Sequence, residues 1–158
     1  TYDALNRVKL RRNNEGNVTL FTYDIFDQLS TVTEPNDGNA STPQGLITRY
    51  FYNSYGDLRV LESPDTGVSK YDYDSASNRI KVQRATDIDA GKEISYQYDA
   101  LNRLRRVDYE NAALNVIYVY DQQGDNQNGI GRLTSIFDAS GETFLFYDKR
   151  GNTEKILI

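Results

Sequence analysis

An all-β fold of tandem, mostly antiparallel hairpins is what this sequence predicts, and three observations predict it. The chain holds 13 Tyr and 6 Phe but no Trp, Met, Cys or His, and Tyr suits strands because its flat body packs on a pleated surface while its hydroxyl reaches a polar partner. Large apolar residues recur two apart, which puts both side chains on one face of a strand. Between such strands the same turn chemistry returns at intervals of 21, 29, 21, 25, 22 and 27 residues, a loose period in the range of stacked repeats.

The anchors of the repeat are Tyr2, Tyr23, Tyr52, Tyr73, Tyr98, Tyr120 and Tyr147. Two residues before each anchor but the first stands Phe21, Tyr50, Tyr71, Tyr96, Tyr118 or Leu145. Each such pair marks one aromatic strand. The residue after the anchor is Asp3, Asp24, Asn53, Asp74, Asp99, Asp121 or Asp148, and four after the anchor come Asn6, Asp27, Gly56, Ser77, Asn102, Gly124 and Gly151. Gly, Asn and Asp tolerate positive φ, and an Asp three positions earlier accepts backbone N–H groups, so the stretch reads as a type I turn closed by a left-handed residue.

Return strands are marked by Val8, Leu29, Leu58, Ile80, Leu104 and Leu133. A second apolar position follows at Val32, Leu61, Val82, Val107 and Ile156. The two positions lie three apart in most units, and strict alternation would put them on opposite faces, so either a β-bulge intervenes or both faces are partly covered. Second turns fall at Asn14–Gly16, Asp65–Gly67 and Asp138–Gly141, and surface loops at Pro35–Gly45, Thr86–Gly91 and Gly124–Ile130. No 3.6-residue apolar pattern lasts three turns, so almost no helix is expected, and two strands per unit would give roughly 14 strands. Residues 1–158 read as a single array of about seven units and as a segment of a longer protein. A β-propeller with two units per blade is the alternative architecture.

The Tyr-Asp-Ala-Leu-Asn-Arg runs at 2–7 and 98–103, with Arg49–Leu58 and Tyr73–Arg79, closely resemble the YD repeat of RHS proteins. This family includes bacterial RHS and wall-associated polymorphic toxins, shell subunits of insecticidal toxin complexes, and animal teneurins. The resemblance implies a long sheet spiralling into a hollow shell, the Tyr and Asp of each unit stabilising the strand–turn–strand geometry. It also implies a bacterial, secreted or cell-surface setting, with the rest of the parent chain and an enclosed toxin or other cargo as partners. The core-closing Asp-Pro-x-Gly-Leu motif of the family is absent from this stretch, so self-cleavage and toxic activity do not carry over to these residues.

Chemistry finds little foothold. Without His or Cys, nucleophilic catalysis through a His-paired Ser or Cys is excluded within this segment. Equivalent Asp residues, replaced once by Asn53, at seven turns read as geometry rather than as a paired-carboxylate site. The run Asp121–Gly129 misplaces its glycines for a calcium loop and lacks the closing Glu. No enzyme, cofactor or metal is expected. A net charge of −5 disfavours nucleic acid, and no run of 18 apolar residues suggests membrane insertion. The basic runs Lys9–Arg12 and Arg103–Arg106 are expected to be solvated strand faces, with Arg103 left without an assigned role. Carbohydrate binding or cell adhesion through exposed Tyr residues is the alternative function, against Tyr pairs forming cross-strand ladders. Self-association through open sheet edges is expected, and Asn17-Val-Thr19 and Asn39-Ala-Ser41 fit the glycosylation pattern.

Overall fold

Alternation of aromatic strand, tight turn and aliphatic strand leaves each strand one easy partner, its neighbour in sequence, and the computed structural model, which describes residues 1–34, 45–88, 90–123 and 128–158, shows that pairing throughout. The chain groups into two compact units, Thr1–Asp72 with Gln83–Gly91, and Tyr73–Val82 with Lys92–Ile158. In the first unit run β1 (Leu10–Arg12), β2 (Val18–Tyr23), β3 (Leu29–Glu34), β4 (Leu46–Tyr52), β5 (Leu58–Ser63) and β6 (Gly67–Tyr73). They pair antiparallel in sequence order. The second unit holds β7 (Arg79–Gln83), β8 (Ile94–Tyr98), β9 (Leu104–Asp108), β10 (Val116–Tyr120), β11 (Leu133–Asp138), β12 (Gly141–Tyr147) and β13 (Thr153–Leu157), again antiparallel and in order. A continuous meander of seven strands is not built of four-stranded blades, so the propeller is excluded.

The question of the two aliphatic positions is settled by a bulge. Phe21 pairs with Val32 and Thr22 with Thr31, but Tyr23 pairs with Leu29, leaving Ser30 without a partner across the ladder. The extra residue returns Val32 and Leu29 to one face although they are three apart. The same shift falls beside the anchor in four more hairpins, where Tyr52 pairs with Leu58, Tyr98 with Leu104, Tyr120 with Leu133 and Tyr147 with Thr153. These pairings set tyrosine against an aliphatic residue or threonine, so the expected Tyr ladder is instead a mixed one. Phe137 and Phe144 form an aromatic pair, edge to face at 6.2 Å.

Three expectations need correction. The first anchor forms only an isolated bridge, Tyr2 with Val8, so thirteen strands are present among the described residues rather than about fourteen. Residues expected as a loop at Thr86–Gly91 begin inside a single helical turn, α1 (Ala85–Ile88), closed by Asp87 and Ile88 amides donating to the Arg84 carbonyl. Ile80 does not open its return strand; Arg79 does. The Pro35–Gly45 loop but for Gly45, Asn39-Ala-Ser41, and the centre of the 124–130 loop lie outside the described residues.

Burial is shallow. Among the described residues the apolar side chains that are buried are Val82 and Val107, both in the second unit and both at the second aliphatic position. Thr134 and Ser135 beside the β11 bulge are the most deeply buried polar residues, and both are satisfied, Thr134 by donating to the Val119 carbonyl and Ser135 by donating to Gln122 Oε1. Domains normally bury the face of a sheet against a second layer. Here neither unit supplies that layer among its described residues, so backbone pairing and turn chemistry carry an unusual share of the fold.

Candidate functional site

The turn after each anchor repeats one hydrogen-bond design. In the 98–104 hairpin the Asn102 amide donates to the Asp99 carbonyl (3.0 Å) and the Asp99 amide to the Arg103 carbonyl (3.0 Å). Asp99 Oδ1 then accepts from the Leu101 and Arg103 amides at 2.8 and 3.0 Å. Asp3, Asp24, Asn53, Asp74 and Asp148 accept the equivalent pair of amides. Four residues past the anchor, Asn6, Asp27, Ser77 and Asn102 stand at φ 61, 65, 60 and 59°, and Gly56 and Gly151 at 89 and 86°. This left-handed conformation is costly for most side chains and is tolerated by Asn, Asp and Gly.

The sixth unit differs. Asp121 itself is left-handed (φ 64°), and the equivalent turn closes after the insertion, where the Arg132 amide donates to the Gly129 carbonyl and the Gly131 amide to Asp121 Oδ1. Gly131-Arg132-Leu133 thus resumes the pattern.

Five anchor hydroxyls reach back to the preceding repeat. Tyr23 donates to the Val8 carbonyl (3.0 Å), Tyr52 to Leu29 (3.0 Å), Tyr98 to Arg79 (3.0 Å), Tyr120 to Leu104 (2.9 Å) and Tyr147 to Leu133 (2.6 Å). The accepting residue sits six past its own anchor, or at the matching point after the insertion. That geometry, not hydropathy, assigns Arg79 rather than Ile80 to the position.

The residue five past the anchor reaches forward to the next repeat. Arg103 Nε binds Asp99 Oδ2 (2.7 Å) in its own turn, while Nη2 and Nη1 hold Asp121 Oδ2 and Oδ1 (2.6 and 3.2 Å) and the guanidinium lies 4.4 Å from the centre of the Tyr120 ring. Arg7 does the same between Asp3 and Asp27 over Tyr23. Asn78 binds Asp74 Oδ2 and, one repeat on, Asn102 Oδ1 (2.8 Å). Arg132 lies over Tyr147 and occupies the space that a Cβ on Gly151 would need. Arg103 is therefore an inter-repeat clamp and not part of a solvated face, whereas Arg11, Arg12 and Arg105 are exposed as expected.

Electrostatics follow from these bonds. The Arg103 amide, then its guanidinium, hold the Asp99 carboxyl below its ordinary range, and the Arg7 amide and guanidinium do so for Asp3. The Arg103 guanidinium and the Gly131 amide lower Asp121, and the side-chain amides of Asn78 and Asn152 lower Asp74 and Asp148. Arg103 is raised by Asp121 and Asp99 together. Burial pushes Tyr52, Tyr98 and Tyr120 upward. Hydrogen bonds to the charged form favour it, so these carboxylates are held ionised as acceptors and are poorly suited to donate a proton.

The remaining motif tyrosines occupy strand positions. Tyr50 pairs with Leu61, Tyr96 with Val107 under the Arg79 guanidinium (5.3 Å), and Tyr118 with Ile136. Tyr71 and Tyr73 lie at the end of β6. Among the described residues no three acidic side chains converge as a metal site would require.

Residues 2–38 match the model of the RHS repeat. The bulge and hydroxyl bond recur well past that match, at Tyr52, Tyr98, Tyr120 and Tyr147. No curated protein matches the sequence. In fold, the chain is similar to a chain in the structure of the Photorhabdus luminescens Tc holotoxin pore carrying the TccC3-D651A mutation, with a TM-score of 0.78 at 18% identity over 99% of its length. It is also similar to chains in the crystal structures of TcdB2-TccC3-TEV (TM-score 0.69, 18% identity, 96% covered) and TcdB2-TccC3 (0.67, 18%, 91%). The chain spans 8% of the length of each of these.

Sequence reading placed the turn residues and the strand faces but missed the two bonds that cross between repeats. The backward bond ends on a carbonyl, which leaves no trace in residue identity. The forward one left a signal, because Arg7, Arg103 and Arg132 share one place in the repeat.

Proposed function

We propose that this chain is a non-enzymatic scaffold segment of a larger RHS-type protein, building part of a wall that encloses a toxin or another cargo. The observation that carries the reading is where the recurring polar groups are spent. Anchor hydroxyl, turn carboxylate and clamp side chain all bind the chain's own neighbouring turns, which stiffens a one-dimensional array and leaves the recurring residues no free chemistry. The likeness to chains of Tc toxin complexes supports a toxin setting, and with it a secreted or cell-surface bacterial protein. No helix among the described residues is long and apolar enough to cross a membrane. Partners on this reading are the rest of the parent chain and its cargo.

Limited proteolysis of the full parent protein tests it. A cargo segment resistant in the native protein and cleaved once the repeat array is unfolded is the expected result; equal cleavage in both states would sink the enclosing role. Carbohydrate binding has narrower support. Exposed tyrosines among the described residues are Tyr2, Tyr55 and Tyr109, while the anchors from Tyr23 to Tyr147 with visible bonds have committed hydroxyls. A glycan array that lights up and loses its signal in Tyr55→Ala would favour that reading.

A further inference from the structure

Asp24 is the exception among the turn acids. Elsewhere the second carboxylate oxygen is taken by the residue five past the anchor: Asp3 Oδ2 by Arg7, Asp74 Oδ2 by Asn78, Asp99 Oδ2 by Arg103 and Asp148 Oδ2 by Asn152. Asp121 Oδ2 is held by Arg103 from the repeat before. Asp24 Oδ1 accepts its two turn amides, but its Oδ2 has no partner among the described residues. The residue five past Tyr23 is Gln28, and its Nε2 is directed at the next turn instead, 2.8 Å from where a Cβ on Gly56 would stand. Arg7, Arg103 and Arg132 also cover the anchor rings of Tyr23, Tyr120 and Tyr147. Over Tyr52 no cation lies among the described residues. A cavity of 460 Å³ is found here, lined by Asp24, Phe26, Gln28, Arg49, Phe51 and Tyr52 among others, against 270 Å³ for the equivalent space beside Arg103. Its size falls within the range of about 300–1,000 Å³ usual for ligand pockets.

We propose that this slot takes an arginine side chain from another polypeptide segment, its guanidinium bonded to Asp24 Oδ2 and stacked on Tyr52. The chain supplies the template for that contact. Arg103 binds Asp99 Oδ2 at 2.7 Å with its guanidinium 4.4 Å from the centre of the Tyr120 ring, and the same acid, turn and ring stand at Asp24 and Tyr52 with the cation missing. A planar guanidinium faces a ring and forks onto a carboxylate at once, which a compact ammonium does less well. Phe26 and Phe51, exposed to 76 and 45%, offer apolar walls to the stem of an incoming arginine. Arg49 lines the same cavity without an ion pair among the described residues, with Glu62 opposite it on β5. Its N–H groups are donors for the backbone carbonyls of the entering segment, which favours a peptide over a bare cation. The site goes beyond the scaffold reading and does not depend on whether the array encloses cargo.

Chemical-shift titration of the isotope-labelled chain with N-acetyl-arginine amide tests this. The Phe26 and Gln28 amides, which donate to Asp24 Oδ1, should shift saturably, and the Leu101 and Arg103 amides at the occupied Asp99 should not. N-acetyl-lysine amide, which lacks the planar fork, and methylguanidine, which lacks the stem and backbone, should each bind at least about threefold more weakly. Asp24→Asn keeps an acceptor for the turn amides, as Asn53 does, and should abolish the shifts. Gln28→Arg rebuilds the clamp from within, so it should abolish them too while raising the melting temperature. Arg49→Gln should leave the guanidinium bound. The absence of a saturable shift in the wild-type chain overturns the proposal, and so do equal shifts at Leu101 and Arg103. Equal affinity for either control cation, binding that survives Asp24→Asn, or binding lost in Arg49→Gln does the same. These failures leave the scaffold reading standing, since that is judged by proteolysis of the parent protein.

Discussion

Asp99 accepts two backbone amides through one oxygen and a guanidinium through the other, and the two halves of that role can be separated by mutation. Asp99→Asn keeps an acceptor for the amides, as Asn53 does naturally, but gives up the charge facing Arg103. Asp99→Ala gives up both, so thermal melting should fall further for Ala than for Asn. Gly151 answers to two constraints at once, its φ of 86° and the Arg132 guanidinium beside it. Gly151→Ala should cost about 1–2 kcal/mol for the left-handed backbone alone and more for the collision. Arg132→Ala should recover only the second part, which a double-mutant cycle in denaturant measures. An intact additive loss would mean that the clamp does not lie over Gly151.

At the scale of the element, the hairpin is defined as much by its bulge as by its turn. Arg105 is the residue skipped between the Gln97–Arg106 and Tyr98–Leu104 pairs, and it lets Leu104 and the buried Val107 share a face. Deleting Arg105 should turn the bulge into a regular ladder that keeps Leu104 and Val107 on one face, so the second unit should still unfold cooperatively, as it should in Arg105→Ala; loss of cooperativity in the deletion alone would contradict the bulge assignment. Much of this was legible in the sequence. Asn6, Asp27, Ser77 and Asn102 announced left-handed positions, and Tyr96 with Tyr98 announced a strand face. What stayed hidden was the choice between bulge and two-sided burial, because an apolar spacing of three fits either. Arg79 was hidden for a similar reason: the position uses a backbone carbonyl, so an Arg serves as well as the Leu or Val found in other repeats.

For the molecule as a whole, stability should depend on acid. Asp3, Asp74, Asp99, Asp121 and Asp148 all titrate lower in the folded chain than the ordinary Asp value of 3.8. Their unfolded forms therefore bind protons first, so the stability they contribute is complete above about pH 4–5 and is lost as pH falls through the depressed folded values. Melting temperature should be level near neutrality and fall steeply toward pH 2.5; a flat profile would contradict the turn assignments. At the other end Tyr52, Tyr98 and Tyr120 are raised by burial, so a second decline should begin as pH rises past about 10. Shallow burial of apolar side chains explains why such bonds weigh so heavily here. The strand order was readable because it repeats; the lack of a covering layer among the described residues of either unit was not, since alternating strands suit a covered sheet equally well.

The central claim is that the Tyr–Asp repeat joins neighbouring hairpins rather than serving chemistry, and Tyr120→Phe isolates it by removing only the hydroxyl that binds the Leu104 carbonyl. Native-state hydrogen exchange, read peptide by peptide, should show about 1 kcal/mol less protection in the β8–β9 and β10–β11 hairpins and unchanged protection in β2 to β5. Unaltered exchange around Leu104, or an equal loss along the entire chain, would contradict it.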